Sequence, residues 1–287
     1  MRVQQQWDGG ACDALIALHA GRSAASIHAF AREHPGRALI VVLTGTDLYG
    51  NLDSSTRRSL GLATRLVVLN ELGRRALPRQ WRAKCELVLP SATPLAPLAP
   101  RRRTFDVAVV GHLRAVKDPR LPMWIARRLP DASSIRFLHA GNALERGWSR
   151  AARATARSTR RYQWLGGVPT AAARALIRRS RVLLHPSKDE GGATVIVEAL
   201  QSGTPVIASD CAGNLGLLGT EYPGLFPVGD IDAAMSLLLR AENEPAFCRR
   251  LIAASRRRAR LFTPEREGRT LRRLVHNSIK HNLPSSR

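Results

Sequence analysis

Residues 180–210 read SRVLLHPSKDEGGATVIVEALQSGTPVIASD, and the reading of this run decides the fold. SRVLLHPS (180–187) is a short apolar run of strand length, KDEGG is a turn, and ATVIVEALQS has helical spacing. Gly203 stands where a helix ends in the left-handed conformation, and TPVIASD (204–210) is a second strand. Strands this continuously apolar are buried on both faces, which is the signature of a parallel sheet with crossover helices.

Working outward, the same alternation recurs. Candidate strands are DALIALHA (13–20), RALIVVLTG (37–45), TRLVVLN (64–70), CELVLPS (85–91), FDVAVVG (105–111), IRFLHAG (135–141) and YQWLGG (162–167). Helical stretches such as RSAASIHAFAREH, PRLPMWIARRL and TAAARALIRRS fall between them. PSATPLAPLAPRRR interrupts the series, because its prolines forbid regular helix and favour an extended connection. The expected division is a first α/β domain over 1–98, a linker over 99–104, a second α/β domain over 105–260 and a C-terminal helix and tail over 261–287. Open parallel sheets bind ligands outside the carboxyl ends of their strands, so the ligand is expected in a cleft between the halves.

At 287 residues the chain is long enough for two domains that each bury a core. No apolar run approaches the roughly 18 to 20 residues of a membrane-spanning helix, and the polar opening MRVQQQWDGG lacks the apolar core of a signal peptide. A cytoplasmic protein without an integral membrane segment is expected. Cys12, Cys85, Cys211 and Cys248 form no CxxC pair, which argues against a zinc site or a disulfide framework. The 45 Lys and Arg against 22 Asp and Glu leave a net charge of +23. Such a field attracts polyanions, but an Ala- and Arg-rich composition also follows from a GC-rich genome. The arginines come as pairs and triplets without interleaved aromatic platforms, so no specific nucleic-acid partner is expected.

Glu190 stands in the turn and Glu198 inside the helix. Eight helical residues rise about 12 Å. The paired carboxylates of glycosidases stand roughly 5 to 9.5 Å apart, so these two are no acid/base pair on one bond. Two readings remain: they hold the two ends of an elongated ligand, or Glu190 complements the helix N-terminus while Glu198 faces water. Gly191 and Gly192 let a ligand approach the backbone, and the free amides of Ala193 and Thr194 favour an anion. GHLRAVKDP places His112, Arg114 and Lys117 after a strand, where cations can meet phosphate oxygens. In the first half, Thr44 and Asp47 of LTGTDLY and His19 of ALHAGRS close strands. Asp47 either faces the cleft or caps the turn; His19 is either a cleft residue or a satisfied histidine.

PSKDEGGATVIVEALQSGTPVIASD resembles the nucleotide-binding signature of retaining glycosyltransferases of the GT-B fold, the family 4 group, marked by two glutamates with seven residues between them. GHLRAVKDP, YPGLFPVGD and LTGTDLY extend the resemblance across most of the chain. It implies two Rossmann-like domains with a cleft between them. RVQQQWDGG, ALIALHAGRSAASI, VVLTGTDLY, GHLRAVKDP and EGGATVIVEA together look like the selenosugar synthase branch. That branch joins a UDP-sugar, typically UDP-N-acetylglucosamine, to selenophosphate in selenoneine biosynthesis. Alternatives are a family 4 transferase with a hydroxyl acceptor, a nucleotide-sugar epimerase and a basic nucleic-acid-binding protein.

The resemblance implies that Glu198 binds ribose hydroxyls, that Glu190 binds a donor-sugar hydroxyl and that Lys117 neutralises the diphosphate. Backbone amides of Gly191, Gly192, Ala193 and Thr194 would face sugar and diphosphate. His112 stands where the family usually has an arginine, and Arg114 is the candidate substitute. Thr44 occupies the place of a histidine that many relatives carry near the reacting carbon. No metal and no cofactor beyond the UDP-sugar donor are implied. Relatives open with a strand, a glycine-rich turn and a helix that have no counterpart before RVQQQW, so the first domain is expected to start at its second strand.

Overall fold

A computed structural model describes residues 2–50, 52–99 and 103–282; the middle of the expected linker and the last five residues lie outside the described residues. The chain folds as two compact units. The first takes Met1–Pro90, Glu190–Gly192 and Pro264–Arg287; the second takes Ser91–Asp189 and Ala193–Thr263.

In the first unit the chain runs β1 (Ala14–Leu18), α1 (Ala24–Glu33), β2 (Ala38–Val42), α2 (Thr46–Tyr49), α3 (Ser54–Leu62), β3 (Arg65–Val68), α4 (Gly73–Ala76) and β4 (Cys85–Leu87). The four strands are parallel and lie in chain order. All five residues of β2 are buried, which a strand achieves only when both faces are covered. Alternation sends Leu39 and Val41 to one face, where they join Ile27, Phe30, Leu60 and Leu66. Ile40 and Val42 go to the other face, with Val67, Val88 and Leu274. Leu274 comes from the C-terminal helix, Pro264–Asn282, which therefore supplies the second cover of the N-terminal sheet.

The second unit contains β5 (Phe105–Val110), α5 (Arg120–Arg128), β6 (Ile135–Ala140), α6 (Trp148–Ser158), β7 (Tyr162–Gly166), α7 (Thr170–Arg179), β8 (Val182–His185), α8 (Thr194–Gln201), β9 (Val206–Ser209), α9 (Ala212–Leu218), β10 (Leu225–Phe226), α10 (Ile231–Asn243) and α11 (Pro245–Ala259); the C-terminal helix is α12. The sheet order is β10-β9-β8-β5-β6-β7, all parallel. The chain builds from β5 outward to β7, then crosses back and builds the other way from β8. The carboxyl ends of β5 and β8 thus form a topological switch point, the place where sheets of this order bind ligands.

All nine expected strands form, shortened where their last residues become turns, and β10 is an addition. The proline-rich run has no regular secondary structure. From Ser91 it nevertheless belongs to the second unit. Leu95 and Leu98 amides donate to the carbonyls of Gln201 and Arg178, and the Arg174 and Arg178 guanidiniums donate to the carbonyls of Thr93 and Ala96. Proline spares this strap its own amide donors, and neighbouring helices satisfy the remaining groups.

Candidate functional site

At the switch point of the second unit, β5 runs out at Val110 and the chain turns through Gly111 and His112. The turn rests on a buried polar strut. The Tyr162 hydroxyl donates to His139 Nδ1 (2.8 Å), so His139 carries its proton on Nε2 and donates it to the Gly111 carbonyl (3.3 Å). Burial drives the His139 pKa down to about 4, which keeps the ring neutral. A Cβ on Gly141 would stand 2.0 Å from the Gly111 carbonyl oxygen, so glycine is required there for the two turns to touch.

Beyond the turn, His112 is exposed and accepts the Asn142 amide on Nδ1 (3.1 Å). Arg114 approaches Glu145 (3.6 Å), whose other oxygen takes the Ala115 amide at 2.8 Å. That amide, then the Trp148 indole and the Arg114 cation, hold the Glu145 carboxyl below its ordinary value. Lys117 closes the single 3-10 turn Ala115–Lys117 and is partly buried. The Val116 carbonyl accepts the Lys188 amide at 2.8 Å, which ties the turn after β5 to the turn after β8. Asp118, missed in the sequence, is buried beside these turns; desolvation pushes its carboxyl up while Lys188 and Arg120 pull it down.

Helix α8 starts at Thr194 with Ala193 as its N-cap and no side-chain cap, so its first amides are unclaimed by any capping side chain. Thr194 is exposed. Glu198 lies four residues on, half-buried, and desolvation raises its pKa while Arg174 of α7 acts in the opposite sense. Arg174 Nε lies 3.8 Å from the Glu198 carboxylate and has no hydrogen-bond partner of its own. Sequence reading missed Arg174, which looks like one more arginine of a solvated helix until α7 and α8 are packed side by side.

The remaining candidates belong to the first unit. Asp47 is 2% exposed and its carboxylate is consumed by backbone: Oδ2 accepts the Ala20 amide, Oδ1 the amides of Thr44 and Gly45, at 2.8 to 3.1 Å. Of its two sequence readings, the turn-builder is the one this geometry describes. His19 accepts the amides of Gly21 and Arg22 on Nδ1, so Nε2 carries the proton and donates to Thr46 Oγ1 (2.9 Å).

Glu190 is 8% exposed, and Gly191 and Gly192 follow it in the same unit. Asn70, another residue the sequence reading passed over, donates to the Gly191 carbonyl (2.7 Å) and to the Tyr49 hydroxyl. A Cβ on Gly191 would lie 2.2 Å from the Thr44 carbonyl group, and one on Gly192 2.6 Å from Leu69 Cβ. Glycine at both positions lets these segments of the chain pack closely. No cluster of metal-ligating side chains occurs among the described residues.

Residues 96–258 match the family model described as glycosyl transferases group 1. A curated relative, glycosyltransferase 1 domain-containing protein 1 of Xenopus tropicalis, is 31% identical over 90 residues. That match spans 31% of this chain and only 26% of the relative. Among solved structures, Anabaena HepE in complex with UDP has a TM-score of 0.78 at 16% identity, covering 92% of this chain and 79% of its own. Sucrose-phosphate synthase from Thermosynechococcus elongatus gives 0.77 at 18% identity, with 94% and 74% covered. At such identities the likeness is one of fold: two Rossmann-like parallel sheets of the GT-B type.

Proposed function

The chain belongs to the glycosyl transferases group 1 family, and from that premise we propose that it transfers a sugar from a UDP-sugar. The observation that carries the reading is α8: a helix with uncapped first amides beside the switch point of its sheet, carrying a half-buried carboxylate one turn in. Phosphates suit the amides, and ribose hydroxyls suit Glu198. Likeness to a structure described as a complex with UDP supports the same donor.

The finer reading is the family 4 group and, within it, a selenosugar synthase using UDP-N-acetylglucosamine and selenophosphate. Selenium would attack the anomeric carbon as the bond to the UDP oxygen breaks; hydrolysis of the phosphorus–selenium bond then releases phosphate and the selenosugar. Lys117, Arg114 and the α8 amides stabilise UDP as it leaves. Arg114 exchanges its exposed Glu145 partner for a phosphate, a small loss because surface ion pairs contribute little. Glu190 holds the donor sugar. An acceptor that arrives as an anion needs no general base, and both ring nitrogens of His19 are already engaged.

Titration with UDP and a UDP-release assay test the proposal. Wild-type protein should bind UDP, and Glu198→Ala should weaken binding about tenfold or more, the loss of a charge-assisted hydrogen bond. UDP release that rises with selenophosphate supports the finer reading. Release with a hydroxyl acceptor alone, or turnover of the donor with no acceptor, replaces it with a hydroxyl transferase or an epimerase.

A further inference from the structure

We propose that the face formed by α5 and α6 of the second unit docks on a membrane surface rich in anionic lipid headgroups. This inference does not depend on the transferase reading. Residues 146–188 hold eleven Arg and Lys and no Asp or Glu, close to half of the net +23. In contrast, residues 189–287 hold thirteen basic and eleven acidic residues. A GC-rich composition explains many arginines; it does not explain their segregation from acids.

Part of that charge lies on one face, whereas Arg174 and Arg178 of α7 turn to Glu198 and to the carbonyls of Thr93 and Ala96. Arg150, Arg153 and Arg157 lie at helical spacing along α6 and are exposed. Arg120 and Arg127 are exposed on α5, on the same stripe as Trp124, which is 51% exposed. The two helices run side by side: Arg120 lies 5.9 Å from the Trp148 ring at the start of α6, and Arg127 donates to Thr155 and Ser158 near its end. Among the described residues no carboxylate pairs with Arg150, Arg153 or Arg157.

An indole set among guanidiniums matches the headgroup layer, where Trp partitions and basic side chains meet anionic phosphates. Single-stranded nucleic acid is bound on a series of aromatic platforms, and Trp124 is the one exposed aromatic among the described residues. The charge complement and the lone indole therefore favour a bilayer.

Cosedimentation with phosphatidylcholine vesicles, with and without phosphatidylglycerol, tests this. Expected are binding only to the anionic vesicles, release by salt, and quenching of tryptophan emission by brominated lipid that Trp124→Phe abolishes. The triple variant Arg150→Gln, Arg153→Gln, Arg157→Gln should partition about a hundredfold more weakly, about fivefold per charge. The equal-charge control Arg269→Gln, Arg272→Gln, Arg273→Gln should bind as wild type, and unchanged thermal unfolding shows both variants folded. Equal losses in the two variants, absence of vesicle binding, or tighter binding to a single-stranded oligonucleotide than to vesicles overturns the proposal.

Discussion

The turn after β2 and the turn after β5 occupy equivalent places, at the carboxyl end of an interior strand of a parallel sheet, and they are built for different purposes. After β2, Asp47 spends its carboxylate on three backbone amides and His19 engages both ring nitrogens, so the polar groups hold the loop's shape. After β5 the shape is held from below by the neutral Tyr162–His139–Gly111 strut. The charged groups above it, Arg114 and Glu145, are partly exposed. Separating a fixed buried layer from an exchangeable charged one leaves a loop able to trade partners with an anion. A loop whose charge is its own cap cannot make that trade.

Overpacking the first loop should have the largest effect. Gly191→Ala drives a methyl against the Thr44 carbonyl and should cost about 3 kcal/mol in urea unfolding. Wild-type stability would show that the segment is free to move away and that the loop is less fixed than described.

The strut below the second loop gives a pH test of similar size. The His139 pKa is about 4 folded against 6.5 for the free side chain, so the unfolded state binds more protons between these values. Stability is therefore full above pH 6.5 and should fall by about 3 kcal/mol as pH drops towards 4. The double variant His139→Phe, Tyr162→Phe should flatten that part of the profile, read by urea midpoints across pH; an unchanged slope would remove the strut from the argument.

Asp47→Ala, which strands three amides, should cost about 2 to 3 kcal/mol by thermal unfolding, whereas Arg114→Ala should cost less than about 0.5 kcal/mol. Equal costs would erase the distinction between the loops. Glu198 gives the smallest effect on stability and sharpens the role of α8. Because its folded pKa is raised, the ionised form is disfavoured in the folded state, so Glu198→Gln should raise the melting temperature slightly at pH 7. That gain should vanish as pH falls below 4.5. Arg174→Ala should push the Glu198 pKa further up, seen as UDP binding that is lost at a higher pH than in wild type.

The strands and their parallel pairing were legible because each is a continuous apolar run, and a run buried on both faces has few alternatives. Helix α8 was legible because Gly203 ends it and Gly192 precedes it. The partners of the site residues were not. Arg174, Asn70 and Asp118 carry no local signal, since an arginine on a helix or an asparagine after a strand has the same sequence environment whether it meets water or a buried group. The glycine pair was recognised as a close approach, yet the sequence could not say what approached. The structure places Thr44 and Leu69 there.

By itself the sequence determined the α/β class, two parallel sheets and the position of the signature helix, because periodicity and glycine act over a few residues. Only the tertiary structure decided that α12 covers the N-terminal sheet, that the proline-rich strap belongs to the second unit, and that Asp47 is a turn-builder whereas Glu198 is a half-buried carboxylate beside a cation. Burial and charge pairing are made by residues far apart in the chain, and a side chain's chemistry is settled by the neighbours that packing gives it.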